Sequence, residues 1–142
     1  MLLGLLTIAC NNTVIEKQDF IFPDDFSGWV FVEYEVKDAP ALPKVGDREQ
    51  VVIPASGVIQ IPNPFVNYRL DYTYKTKSGT VLPSLTPEKL YNEEKNVVRE
   101  KAFVCCGASS IIIREDVEHK YHYFYAGKGP AKDPPTEPAS KK

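Results

Sequence analysis

Two stretches of strict period-two patterning constrain this chain more than any other feature. Between Trp29 and Lys37, the residues Val30, Val32, Tyr34 and Val36 alternate with Phe31, Glu33, Glu35 and Lys37. Between Val66 and Lys75, the residues Val66, Tyr68, Leu70, Tyr72 and Tyr74 alternate with Asn67, Arg69, Asp71, Thr73 and Lys75. Successive side chains of a strand point to opposite faces, so each stretch predicts a strand with one buried and one partly solvated face. Shorter runs at 19–22, 50–53, 58–61, 97–105, 110–114 and 117–125 read as further strands. Pro23, Pro54, Pro62 and Pro64 punctuate them, because proline cannot donate to a central ladder. Lys77-Ser78-Gly79-Thr80 reads as a hairpin turn. Thr86-Pro87-Glu88 carries a helix start: a capping hydroxyl, a proline at the first helical position and an acid in the first turn, predicting one short helix to about Glu94.

Many short strands with frequent turns, in a chain of 142 residues, predict an all-β fold. The expected form is a single antiparallel β-sandwich, immunoglobulin-like or transthyretin-like, with at most one short helix. With 43% hydrophobic and 25% charged residues the chain has material for one core, and its net charge of -2 argues against a nucleic-acid partner.

The ends differ from the middle. Residues 1–9 are an uncharged apolar run, too short to span a bilayer, that stops at Cys10 before Asn11-Asn12. The run fits the apolar part of a secretory signal. Leu6-Thr7-Ile8-Ala9-Cys10 resembles a bacterial lipobox, with Thr7 in place of the usual Leu. The resemblance implies that Cys10 is the lipidated first residue of the mature chain, so that acyl chains hold the protein on a membrane. Residues 127–142 contain four Pro, four Lys and no large apolar side chain, which predicts a disordered, solvated tail. The organisation expected is a signal remnant over 1–9, a lipidated linker over 10–17, a β-sandwich over 18–126 and a Pro/Lys-rich tail over 127–142.

Phe20-Ile21-Phe22-Pro23-Asp24-Asp25-Phe26-Ser27-Gly28-Trp29-Val30 resembles a domain family of unknown function found in secreted bacterial proteins and lipoproteins. That family's pattern is an apolar residue and Pro, a short turn, an aromatic, and Gly-Trp-Val opening a strand. Further points of similarity are Ala39-Pro40-Ala41-Leu42-Pro43, Val52-Ile53-Pro54-Ala55-Ser56-Gly57-Val58, the Tyr72/Tyr74 strand with Ser78-Gly79, and Tyr123-Phe124-Tyr125-Ala126-Gly127. The resemblance implies an envelope-located all-β domain and carries no catalytic residues.

Cys105-Cys106 is the most unusual pair. Neighbouring Cα atoms lie about 3.8 Å apart, below the usual disulfide span of about 4.4–6.8 Å. The pair therefore reads either as one buried and one turn thiol or as a vicinal disulfide. Two thiolates without further Cys or His do not complete a metal set. His119 and His122 would share a metal only on a helix; on a strand their odd separation sends them to opposite faces. Gly107-Ala108-Ser109 lacks the closing Gly of a nucleophile elbow, since Ile111 stands there. Glu33 and Glu35, on one strand face, read as a solvated surface before they read as a glycosidase pair. Asp19, Asp24, Asp25, Asp38 and Asp47 read as turn residues before a calcium site. No cofactor or metal is expected.

Tyr121, Tyr123 and Tyr125 share one strand face and, if exposed, form a platform for a sugar or peptide; otherwise they are packed. The function expected is a lipid-anchored envelope protein acting as a non-enzymatic binding or structural accessory domain, touching the membrane through its lipid and an envelope protein or glycan through its surface. The alternative is an envelope hydrolase or inhibitor-like protein with a site built from loops.

Overall fold

The structure is a computed structural model that describes residues 15–65, 70–86, 101–129, 134–135 and 138. Its elements run β1 (Glu16–Phe22), β2 (Gly28–Tyr34), β3 (Lys44–Val45), β4 (Arg48–Val52), β5 (Val58–Gln60), β6 (Leu70–Thr76), β7 (Ser84–Leu85), β8 (Phe103–Arg114) and β9 (Val117–Gly127). They form a four-stranded sheet in the order β3-β4-β1-β6 and a five-stranded sheet in the order β5-β2-β9-β8-β7. The all-β expectation holds. Of the predicted helix only Thr86 falls among the described residues, where it is not helical, and Val66–Arg69 and Val97–Glu100 of the predicted strands lie outside them.

The expectation of antiparallel pairing is corrected. The pairs β1–β4, β1–β6, β2–β5 and β7–β8 are parallel, while β2–β9, β3–β4 and β8–β9 are antiparallel. The reason lies in the connections. From β1 to β7 the chain repeatedly crosses from one sheet to the other and back, and a strand returning by such a crossover can lie parallel to its predecessor. Period-two patterning reports faces and carries no information on direction.

The two sheets face each other over one shared core. Phe20 and Phe22 of β1, Val51 of β4, Val30, Val32 and Tyr34 of β2, and Phe124 and Ala126 of β9 are buried in a single cluster with Ile53, Ile61, Leu82 and Val104. Phe20 is its centre, with its ring 5.0 Å from Tyr72, 5.4 Å from Tyr74 and 5.4 Å edge-on to Phe124 of the opposite sheet. Burying one such side chain contributes about 1.5–3 kcal/mol. The inward alternation of Tyr72 and Tyr74 is as the sequence predicts.

Three local departures have identifiable causes. β2 stops at Tyr34 because Glu35 turns left-handed at φ 60, although the Glu35 and Val36 amides still donate to the carbonyls of Asn63 and Ile61 at 2.9 and 3.1 Å. β8 is one twelve-residue strand where two were expected. Its register against β9 shifts between Cys105 and Ala108, so Cys106 and Gly107 together oppose Phe124, and a bulge absorbs the irregularity without ending the strand. Glu115 and Asp116 then take φ 49 and φ 62, the pair of positive values that a tight two-residue hairpin turn requires.

Candidate functional site

The face of the β2–β9–β8 ladder that points away from the shared core carries the candidate site. Cross-strand register places Trp29 beside Tyr125 and Tyr125 beside Cys105; Phe31 beside Tyr123 and Tyr123 beside Ala108; Glu33 beside Tyr121 and Tyr121 beside Ser110. The first two rows form an aromatic layer. Phe31 stacks on Tyr123 at 5.8 Å and meets Tyr121 edge-on at 6.3 Å, while Trp29 meets Tyr125 edge-on at 5.8 Å.

Tyr121, Tyr123 and Tyr125 therefore do share one face, but not as an open platform. Tyr121 is 2% exposed and Tyr125 5%, so only Tyr123 is partly open. The Tyr125 hydroxyl donates to the Lys128 carbonyl at 2.9 Å and lies 3.2 Å from Ser27 Oγ. At the same end Cys105 and Cys106 are joined Sγ to Sγ, their Cα atoms 3.7 Å apart, and pack with Phe103, Trp29 and Leu85. Cys105 is buried and Cys106, at φ 65 on the bulge, is half-buried. Of the two readings left open by the sequence, the pair has the bonded one, and Cys106 lies on a bulge within β8 where a turn was expected.

The other end of this face is polar. Glu33 Oε1 lies 2.5 Å from His119 Nδ1, and Glu33 Oε2 accepts from Gln60 Nε2 at 2.9 Å. Glu33 is 7% exposed, so the expectation of a solvated Glu33/Glu35 surface is corrected for Glu33, while Glu35 is exposed. β2 is an inner strand, with neighbours on both sides, and the twist at Glu35 sends that carboxylate to Lys120 at 2.5 Å instead. Glu33 forms part of a cleft of about 620 Å³ whose walls include Tyr121, Gln60, Arg114, Asp38 and Pro138. Pro138 is buried there, in contrast to the solvated tail that composition predicts, while Pro134 and Pro135 are exposed.

His119 and His122 are on opposite faces, as their spacing on a strand requires. His122 points to the core side, its ring 6.3 Å from Tyr72 and 5.8 Å from Phe124. Burial holds its pKa below the usual imidazole value, with the Ala108 backbone hydrogen bond opposing. Three of the five acids considered for calcium are engaged separately: Asp19 by Arg48, Asp47 by Lys17 and Asp24 by the Ser78 amide. Cys10 lies outside the described residues. Sequence reasoning missed Gln60 of β5, Arg114 of β8 and Pro138 beyond the last strand, which are far apart in the chain and share no local pattern.

No protein-family model matches the chain, and no curated protein matches it. Among solved structures it is similar to a chain described as a candidate lipoprotein from Bacillus anthracis, at 15% identity and a TM-score of 0.48, over 80% of this chain and 71% of that one.

Proposed function

We propose that the protein is a lipid-anchored component of the bacterial envelope, held through Cys10, whose β-domain is a non-enzymatic module that binds an extended, proline-bearing peptide segment in the Glu33–Tyr121 cleft. The observation that carries the binding reading is Pro138, buried in the wall of that cleft, which Tyr121 also lines. Proline prefers the extended polyproline conformation, loses little freedom on binding, and packs well against aromatic rings. Acidic Glu33 and Asp38 in the cleft complement the lysines that flank the prolines of residues 127–142. Both oxygens of Glu33 are held, by His119 and by Gln60, which suits a fixed recognition surface.

The test is a titration of chain ending at Gly129 with a synthetic peptide of residues 130–142, followed by Trp29 fluorescence and NMR shifts. Saturable binding is expected, weaker in the full chain, where residues 130–142 compete, and weaker by roughly tenfold in Tyr121→Ala, the effect of losing about 1.4 kcal/mol at one aromatic contact. Absence of saturable binding would overturn the reading. A second reading, an envelope hydrolase, is favoured by the His119–Glu33 contact, because a carboxylate at Nδ1 orients an imidazole for base catalysis through Nε2. Turnover of ester, peptide or glycoside substrates that disappears in a folded His119→Ala variant would establish it.

A further inference from the structure

The outer strands of the two sheets are not alike. β3 has two residues and begins with Lys44, β5 has three and lies between Pro54 and Pro62, and β6 carries Asp71 and Lys75. Short, charged or proline-flanked edges resist pairing with another chain. β8 has none of these protections. It runs for twelve residues, of which β7 covers only Val104 and Cys105. Among the described residues no strand lies against that side of Gly107–Ile113, a stretch with no charge and no proline.

The ladder fixes which backbone groups this edge presents. The Phe31 N–H and the Glu33 carbonyl bond toward β5, to the Gly57 carbonyl at 2.8 Å and the Ile61 N–H at 2.9 Å. Backbone groups alternate sides along a strand, so Val30 and Val32 bond to Phe124 and His122 of β9, and Tyr123 and Tyr121 bond in turn to Ala108 and Ser110 of β8. Ser109, Ile111 and Ile113 therefore turn their amides and carbonyls outward, away from β9. The second observation concerns their side chains. These lie on the core-side face, in rows with His122, Lys120 and Glu118, where the opposite sheet does not cover them: Ile111 is 54% exposed and Ile113 68%.

We propose that this edge joins two copies of the chain, β8 running antiparallel to β8 of the second copy about a two-fold axis at Ile111. Residues that turn their backbone groups outward must meet residues that do the same, which sets Ile111 opposite Ile111 and Ser109 opposite Ile113. The strand is self-complementary in this register. The exposed isoleucines of both copies come together in one apolar row, and no like charges are directly opposed, because the paired stretch carries none. Each edge caps the other, so the contact is isologous and closes at two copies. The five-stranded sheets continue through the axis as one sheet.

The experiment uses the full chain and two readouts, sedimentation for mass and cysteine cross-linking for register, with diamide as the oxidant. Opposed residues of a hydrogen-bonded antiparallel pair have Cα atoms about 5.5 Å apart, within disulfide reach. Ile111→Cys should link to itself in high yield. Ile113→Cys should not, since its two copies are about 13 Å apart by strand rise, but should link to Ser109→Cys when the two variants are mixed. The parent should sediment as a dimer, and Ile111→Lys, which opposes two charges at the axis, should raise the dissociation constant at least roughly tenfold. Mixing Ile111→Lys with Ile111→Glu should restore the dimer, whereas Val81→Lys, at a residue equally exposed elsewhere, should leave it intact. A monomeric parent would overturn the proposal, as would equal linkage at Ile111 and Ile113 or a link from Ile111→Cys to a different protein in the envelope. If a variant does not fold, the mass of the parent decides the matter alone.

Discussion

Arg48 Nε donates to Asp19 Oδ1 at 2.6 Å on the outer face of the four-stranded sheet, with the Asp19 side chain only 11% exposed. Thr73 and Gln50 donate to the same carboxylate at 2.5 and 2.9 Å. Burial alone would raise the Asp19 pKa, but these donors outweigh it and hold the carboxyl at about 2, against 3.8 ordinarily. A depressed folded-state pKa means that the stabilisation is complete above the unfolded value and is lost as pH falls through the folded one. The urea midpoint should therefore fall between about pH 4 and pH 2. Glu16, whose pKa is raised, works in the opposite sense and partly offsets the loss. Asp19→Asn should flatten the acid limb and cost about 2–3 kcal/mol at neutral pH. That is less than the ~3–5 of a fully buried broken pair, because Arg48 keeps Asp71. An acid limb of unchanged steepness in the variant would contradict this account.

Gly57 closes the turn before β5, its amide donating to the Pro54 carbonyl at 2.9 Å and its carbonyl accepting from the Phe31 amide at 2.8 Å. Its φ is +75, and a β-carbon there would collide with the Trp29 carbonyl oxygen and come within 3.3 Å of Phe26. Backbone cannot yield as a side-chain end can. Gly57→Ala should cost about 2–4 kcal/mol, combining left-handed strain with overpacking. A melt within a degree of the parent would show that the turn relaxes freely.

The alternation in 29–34 and 70–75 was enough to read β2, β6 and the inward set Val30, Val32, Tyr34, Tyr72 and Tyr74, because side-chain period is a local property. Strand direction was not legible, since it depends on which sheet the intervening chain visits. The continuity of β8 was hidden by Cys106-Gly107, which look like a terminator and act as a bulge. The β8–β9 turn was hidden for a related reason: Glu115-Asp116 lacks the glycine that usually marks two positive φ values. The opposite orientations of His119 and His122 were legible from parity alone. Glu33 was misread because burial on the outer face depends on neighbours in space, and the open edge of β8 follows from a strand order that no single stretch encodes.

The anchor is tested separately from the β-domain. Detergent-extracted protein should give an intact mass lacking residues 1–9 and carrying acyl chains on Cys10, and Cys10→Ala should move the protein out of the membrane fraction. Lipid chains contribute about 0.8 kcal/mol per buried methylene, so losing them leaves too little apolar contact to retain the protein on the bilayer. Soluble protein that retains Met1 would sink the anchor while leaving the cleft and dimer proposals standing.

The bond between Cys105 and Cys106 closes a loop of adjacent residues, so it removes almost no conformational freedom from the unfolded chain. Whatever the pair contributes must come from packing of Cys105, which is 2% exposed against Phe103 and Tyr125. Melting temperatures with and without reductant should therefore differ little, while replacing both residues by Ser should cost about 1–3 kcal/mol by placing a hydroxyl where the buried sulfur sits. Cys106→Ser alone should be milder, because that side chain is half-buried. The ordering of the three measurements separates a packing role from a covalent clamp: a large drop on reduction, with the Ser variants no worse than the reduced parent, would establish the clamp.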